Sequence, residues 1–426
     1  MSDRPLTDRS LHSLGVICGL AAGAWLGAAE VPTKLVSAGF SPYLISLGMV
    51  AGVFVGRWTL PMVLRGARYL VQDIRDKPHL IVWAILAGLL WAVANTLTIF
   101  AIRSVGLSIA FPLWNVNSLV GLFWGWLLFG ELRGAGPGHW IKVVGGTLAV
   151  LAGACIVSWA TTHDAAAPGH SAAAGIVAAM GAALLWGTMY IPYRKAYLSG
   201  MNPLSFVSVF TVGELTAVFS LALCFDGGFH GVFDELSHAR PALFWLFLGG
   251  LCWVVGDLFQ QYAAKYIGIG RGIPLSNTNQ LWGLAWGALA FGEIAGKGSG
   301  TLFSLLAGSV LMVGGALAIG IAEAPQAEQA EWRRAAERES LRYGFDLARA
   351  ASRLKGESGP LDKVFRRDWW EFLVAAGASG LLVWLALLVK PQPVPIDPFW
   401  TVVLIAATLA VLVVGGFALW RRTRFS

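Results

Sequence analysis

Charged residues are scarce in this sequence. They make up 13% of the 426 residues, whereas 56% are hydrophobic. A soluble protein of this length needs far more charge to cover its surface. The composition therefore excludes an ordinary soluble domain and indicates a chain that lies in a lipid bilayer.

Residue patterns for catalysis or metal binding are also lacking. The sequence contains no phosphate-binding loop, no nucleophile elbow and no zinc-binding spacing. Only four cysteines occur, all inside apolar segments, where small packing residues are expected: Cys18, Cys155, Cys224 and Cys252. The sequence therefore predicts a protein that is not an enzyme and needs no cofactor or metal.

Apolar runs of about 20 residues recur along the chain, the length that crosses a bilayer core of about 30 Å. Helices are expected, because an isolated strand cannot satisfy its backbone in lipid. The sequence thus predicts an all-α polytopic membrane protein. Its twelve runs lie near 14–31, 42–64, 80–102, 105–130, 139–160, 173–193, 204–225, 241–263, 268–292, 302–322, 370–389 and 398–420.

The net charge of +7 reflects topology rather than a nucleic-acid partner. With a cytoplasmic N-terminus, 25 Lys and Arg fall on the inner side, 5 fall outside, and Arg57 lies within a span. This asymmetry follows the positive-inside rule. We therefore expect a multi-pass protein of the cell (inner) membrane, with both termini cytoplasmic and lipid as its surroundings.

An internal repeat is the most informative feature of the sequence. Segments 106–131 and 268–293 align without a gap and share 14 of 26 residues. The same offset places Asn95 on Asp257, and an offset of 160 places 31–34 on 191–194. Each copy holds five spans, so the second copy enters the membrane inverted, as in many secondary transporters.

This repeat divides the chain into four predicted parts. A first five-helix repeat at 1–160 precedes a second, inverted repeat at 173–322, and together they form a ten-helix bundle. A cytoplasmic amphipathic linker follows at 323–368, and a transmembrane two-helix hairpin at 369–426. We expect the linker to be an amphipathic helix on the membrane surface, with a solvated connector or a regulatory domain as the alternatives.

The repeated motifs resemble the drug/metabolite transporter superfamily with its EamA-like repeats. Each copy ends in Phe-Gly-Glu, at Glu131 and Glu293, before a glycine-rich closing helix. Segments 110–117 and 273–280 resemble the bacterial glucose/ribose-uptake and rhamnose-transporter branch. The resemblance covers about 1–322 and implies transport of a small metabolite. We expect both glutamates to bond neighbouring backbone or basic side chains.

The fourth and ninth spans each carry Pro-Leu-x-Asn-x-Asn. Proline frees a backbone carbonyl, amides donate and accept, and tryptophans suit the C–H face of a sugar. Asparagines two apart point about 200° apart on a helix, so both face one ligand only where the helix breaks; purely structural bonding is the alternative. The predicted substrate-binding residues are Asn115, Asn117, Asn277, Asn279, Gln280, Trp91, Trp114 and Trp253.

Two acidic residues within spans are candidates for a coupling-ion site. Asp257 stands where the first repeat has Asn95, and Glu214 is central in the seventh span. A desolvated carboxylate can exchange a proton near neutral pH. A neutral, hydrogen-bonded acid or an ion pair with Arg57 is the alternative.

The sequence therefore predicts a secondary transporter of a small neutral polar metabolite, with a monosaccharide favoured and coupling to protons or another cation possible. A transporter of a nucleoside, ureide or amino-acid derivative is one alternative. A non-transporting membrane sensor or scaffold is another, but it would not need two interrupted helices at matched positions.

Overall fold

The structure is a computed structural model that describes residues 9–36, 40–105, 110, 113–161, 172–357, 368–389 and 396–426. Pro112 therefore lies outside the described residues. Within them, all regular elements are helices: α1 (Arg9–Lys34), α2 (Pro42–Arg65), α3 (Ala67–Arg75), α4 (His79–Val105), α5 (Asn117–Phe129), α6 (Gly146–Thr161), α7 (Ala172–Leu198), α8 (Pro203–Phe225), α9 (Gly228–His238), α10 (Leu243–Ile267), α11 (Ile269–Ser276), α12 (Asn279–Ala285), α13 (Ser299–Gly320), α14 (Gln326–Tyr343), α15 (Leu347–Leu354), α16 (Trp369–Leu388) and α17 (Pro398–Thr423).

Ten of the described helices are long and apolar enough to cross a membrane. They coincide with ten of the twelve predicted spans, and only the fourth and ninth are replaced by shorter pieces. Large apolar side chains point outward from the bundle, such as Val82 at 71% exposed and Leu387 at 80%. Such exposure suits a lipid-facing surface. The protein is an all-α polytopic membrane protein, as predicted.

The fourth and ninth spans are broken at matching places. In the fourth, Val116 is a turn residue, and α5 begins at Asn117. In the ninth, α11 ends at Ser276, and α12 begins at Asn279 before a π-helical segment, Trp286–Ala290. Pro274 lies inside α11, where it cannot donate the backbone hydrogen bond of a regular helix. The fifth span is continuous over Pro137–Ala160, because a short helix, Pro137–Trp140, and a further π-helical segment, Ile141–Gly145, lead directly into α6.

The packing of the helices follows the internal repeat. Helix α1 packs on α10, and the repeat-related α7 packs on α4 in the same way. Helix α2 packs on α10 as α8 packs on α4. Each contact thus has a counterpart in which the two copies exchange roles. This is the arrangement expected of two repeats related by a pseudo-two-fold axis in the membrane plane.

Glycines allow the backbones of these helix pairs to touch. A Cβ at Gly52 would collide with the carbonyl of Phe247, and one at Gly250 with that of Met49. The repeat-related pair Gly213 and Gly88 shows the same contact between α8 and α4. Small residues at such crossings are typical of tightly packed membrane helices.

The predicted linker packs on one end of the bundle. It contains α14 and α15, which lie against the ends of α5 and α7. Trp332 and Glu328 on α14 are fully buried. We call this end of the bundle the linker face, and the end where α1 terminates and α2 begins the opposite face. One face of α14 packs on protein, and the other carries exposed side chains such as Leu341, which is 89% exposed. Contact of that outer face with solvent or with the membrane surface stays a prediction.

The last two helices each pack on a different part of the bundle. Helix α16 lies against α2 and α10, whereas α17 lies against α1 and the end of the ninth span. They follow one another in the chain, but each makes its main contacts with the bundle and not with the other helix. After α17, the chain turns into the linker face, where Lys265 Nζ donates to the Ser426 carbonyl at 2.7 Å.

Candidate functional site

A cavity of about 140 Å³ lies between the repeats, smaller than the clefts of about 300–1,000 Å³ that hold drug-sized ligands. It reaches Glu30, Ile45 and Ile102, which lie within about a turn of the opposite-face ends of α1, α2 and α4. Of the eight predicted substrate-binding residues, seven line it: Trp91, Trp114, Asn115, Asn117, Trp253, Asn277 and Asn279.

The helix breaks bring all four asparagines to this cavity. In an unbroken helix, members of each pair would point about 200° apart. Because Val116 forms a turn, Asn115 and Asn117 reach the same space. The gap between α11 and α12 does the same for Asn277 and Asn279. The interruption of the span is therefore what makes a two-residue spacing compatible with one site.

Several polar atoms in the lining have no partner among the described residues. Asn277 Nδ2 donates to Ser118 Oγ at 2.6 Å. By contrast, Asn115 Nδ2 and Asn279 Oδ1 are buried without a hydrogen bond. Two indole N–H groups in the lining are likewise unpaired, those of Trp186 and Trp253. Buried polar atoms of this kind are costly unless a ligand or water satisfies them.

Tryptophan pairs form the apolar walls of the cavity. Trp91 and Trp253, which are repeat-related, meet edge to face with ring centroids 5.5 Å apart. Trp114 and Trp186 form a second T-shaped pair at 6.3 Å. Aromatic faces offer a large apolar surface, and the two indoles with free N–H groups add donors. The cavity therefore combines apolar walls with a few directed polar groups.

Two predicted residues are not part of the lining. Gln280 follows Asn279 on α12, so its side chain points about 100° away, and it is buried outside the cavity. Glu214 lies behind Arg57. Other residues that the sequence analysis did not select also line the cavity: Glu30, Asn95, Gln260, Trp186 and Tyr190. The repeat offset could have found most of these residues, because it pairs them with each other or with a predicted residue.

Arg57 holds both acidic candidates in one buried cluster. Its Nη1 donates to Glu214 Oε2 and its Nη2 to Asp257 Oδ2, each at 2.6 Å. The three side chains are at most 3% exposed. Gln261 Nε2 also donates to Asp257 Oδ1 at 3.0 Å, whereas Glu214 Oε1 has no described partner. The ion pair with Arg57 weighed as an alternative is thus present, and Asp257 alone of the three reaches the cavity.

The charges of the cavity lining are negative. Glu30 and Asp257 are the acidic residues among its described lining residues, which include no Lys, Arg or His. An anionic ligand would meet these carboxylates, and Arg57, the cation that pairs with Asp257, lies outside the lining. Across the described residues, no cluster of three or more His, Cys, Asp or Glu could hold a metal ion. The arrangement suits a neutral or cation-bearing small molecule.

Beyond the cavity, each end of the bundle carries a repeat-related ion pair. On the linker face, Glu131 accepts from the backbone N–H of Ile269 at 3.0 Å and of Gly270 at 2.7 Å. Its carboxylate also lies 3.3 Å from Arg194 Nε, and both side chains are 0% exposed. The bonding expected for Glu131 is confirmed. On the opposite face, Lys34 pairs with Glu293, and each is 42% exposed.

Part of this chain is similar to a known protein family. Residues 176–339 match the model of a family described as sugar transport protein. The match supports a family of sugar or metabolite transporters. It spans the predicted second repeat and most of α14, which is less than half of the chain, and it suggests a protein that is not an enzyme.

Solved structures share the fold over most of the chain. One, titled "Crystal structure of protein", superposes with a TM-score of 0.52 at 19% identity, covering 71% of this chain and 95% of that chain. At this identity, the likeness shows a shared fold alone. The chain matches no curated protein.

Proposed function

We propose that this protein is a secondary transporter that moves a small neutral polar metabolite, with a monosaccharide as the favoured substrate, by alternating access. One observation carries the proposal. Two broken helices at repeat-related positions present four asparagines and paired tryptophans to a single cavity. Interrupted helices at a repeat interface are typical of binding sites in secondary transporters.

The chemistry of the lining favours a polyol. A sugar hydroxyl both donates and accepts, and the unpaired groups comprise the Asn115 amide, two indole N–H donors and the Asn279 oxygen. The C–H faces of a sugar ring can lie on Trp91 or Trp253. The sugar-transport family match over 176–339 supports the same substrate class.

Proton coupling is the mechanism that the buried charges support. Two ionised carboxylates and one guanidinium leave one net negative charge in a buried cluster, and such a charge is costly unless compensated. A proton shared by Glu214 and Asp257 would neutralise it. Asp257 reaches the cavity, so it is the acid through which that proton would exchange with the substrate path.

Uptake into liposomes containing the purified protein tests the substrate. A panel of labelled monosaccharides is offered, with unlabelled nucleosides, ureides and amino-acid derivatives as competitors. We expect uptake of at least one monosaccharide that other monosaccharides inhibit more strongly than the remaining classes do. Inhibition by one of those other classes would identify a different metabolite. Absence of any saturable uptake or exchange would favour a sensor or scaffold.

A further inference from the structure

Helix α14 holds two arginines of the linker face from outside the predicted ten-helix bundle. Arg271 donates to both carboxylate oxygens of Glu328, at 2.6 and 2.7 Å. These two side chains are at most 1% exposed. One turn further along α14, the Trp332 ring lies 4.3 Å from the Arg194 guanidinium, and its side chain is fully buried.

Both arginines belong to the seal between the cavity and the linker face. Arg194 pairs with Glu131, which also binds the first N–H groups of α11. Arg271 lies on α11, the segment that leads directly to Asn277 in the cavity wall. An opening movement that shifts α11 would have to separate it from Glu131. Helix α14 opposes that movement, because it holds both arginines in place.

We propose that α14 is a lock on the linker-face gate, and that Glu328 and Trp332 position Arg271 and Arg194 to keep it closed. The segment thereby sets how often the cavity opens to this side. The proposal rests on the alternating-access transport proposed above and gives a role to a region outside the predicted repeats. The corresponding pair on the opposite face, Lys34 and Glu293, is 42% exposed and so lacks such a cover.

Thiol labelling from one side of the membrane tests the lock without any sugar. Met189, which lines the cavity, is replaced by cysteine in a variant lacking the four native cysteines. A small impermeant thiol reagent is applied to vesicles of both orientations, so the topology need not be assumed. Glu328→Gln removes the charge from a bidentate pair, so we expect linker-face labelling to rise by about tenfold or more.

Glu331→Gln is the matched control, because Glu331 lies on the same helix and pairs with the exposed Arg334. Its labelling rate should stay at the level of the parent protein. Trp332→Leu keeps an apolar side chain but removes the ring over Arg194, and we expect a rise of several fold. This variant carries the test if Glu328→Gln does not fold.

Folded variants that label at the parental rate from the linker face would overturn the lock. A lowered melting temperature without faster labelling would also overturn it, since that result indicates a structural role only. The labelling result does not depend on the substrate. A failed sugar-uptake experiment would therefore leave this test valid, and a failed lock would leave the transport proposal intact.

Discussion

The two ends of the bundle carry the same Phe-Gly-Glu motif in opposite surroundings. At the linker face, the motif's Glu131 is buried with Arg194 and bonded to two backbone N–H groups. At the opposite face, its repeat partner Glu293 pairs with Lys34 at an exposed site. The sequences are nearly equivalent, so the difference comes from what covers each end.

That difference extends to the surroundings of the cavity. Its described lining reaches the last turns of α1 and α4 at the opposite face, whereas α14 and the Glu131 pair cover the linker face. In an inverted repeat, exchanging the two environments would produce the other access state. Substitutions at the two ends and in the two repeats should test this asymmetry, from the largest expected effect to the smallest.

Removing the carboxylate from each of the two ion pairs should lower the free energy of unfolding by very different amounts. Glu131→Gln leaves Arg194 as an uncompensated buried charge, so we expect a loss of about 3–5 kcal/mol. Glu293→Gln disrupts an exposed pair and should cost about 0–1 kcal/mol. Thermal unfolding of both variants in detergent, or in lipid nanodiscs, measures the difference. Equal melting temperatures would contradict the contrast between the two ends.

The linker face should also lose stability in acid. Burial alone would raise the pKa of Asp73. Lys77, at 2.6 Å, and Arg353 lower this pKa by more than burial raises it, so it lies below the usual Asp value. Because the pKa of Asp73 is lower in the folded state, its ionised form stabilises the fold fully at a pH above the unfolded pKa of about 3.9. This contribution to the free energy of unfolding is lost as the pH drops through the folded pKa.

The expected slope from this one group is about 1.4 kcal/mol per pH unit. Asp73→Asn should be less stable than the parent protein near neutral pH. The gap between the two proteins should narrow as the pH falls below about 4, as measured by melting temperatures at each pH. A gap that stays constant with pH would show that Asp73 does not contribute through its charge.

The difference between Asp257 and its repeat partner Asn95 should appear in coupling. Asp257→Asn leaves Arg57 paired with Glu214, so the cluster becomes neutral without a proton. We expect the variant to exchange substrate yet fail to accumulate it under a pH gradient. The parent protein, coupled to one proton, should gain about 1.4 kcal/mol, or tenfold accumulation, per pH unit.

Glu214→Gln is the comparison variant, because it neutralises the same cluster from the side away from the cavity. Accumulation ratios in liposomes with an imposed gradient measure both. Normal accumulation by Asp257→Asn would show that Asp257 is a structural acid.

Where the repeats agree, the two copies should contribute similarly. Asn115→Ala and Asn277→Ala each remove amide groups from the cavity, and a net hydrogen bond is worth about 0.5–1.5 kcal/mol. We expect the substrate concentration for half-maximal uptake to rise about 2- to 10-fold in each. Gln72→Ala on α3, whose amide bonds Asp76 at an exposed site, is the control. Unchanged uptake in both asparagine variants would place the site elsewhere.

Much of the site could be predicted because the repeat marks it twice. Asn115 and Asn277 stand at matched positions after prolines, and the geometry of a helix requires a break between each asparagine and the next. Trp186 was missed because it lies on an apolar helix, where the sequence does not show which face meets the cavity. Glu30 was missed although the repeat offset pairs it with another lining residue. Gln280 is buried outside the lining, because adjacent residues on a helix diverge by about 100°.

The linker helix α14 shows a second reason why the sequence does not predict the whole structure. Its alternating Ala, Glu and Arg predict an exposed amphipathic surface, and the pattern gives no sign that Glu328 finds Arg271 across 57 residues. A buried pair of this kind depends on how the bundle brings distant segments together. Local periodicity therefore predicted a helix here but not what the helix covers.

The glycine crossings have a consequence for how the bundle can move. They join α2 to α10 and α4 to α8, and each pair takes one helix from each half of the sequence. Backbone contact at such points hinders sliding but permits pivoting. If these contacts are kept during transport, each unit that moves as one body combines helices from both repeats.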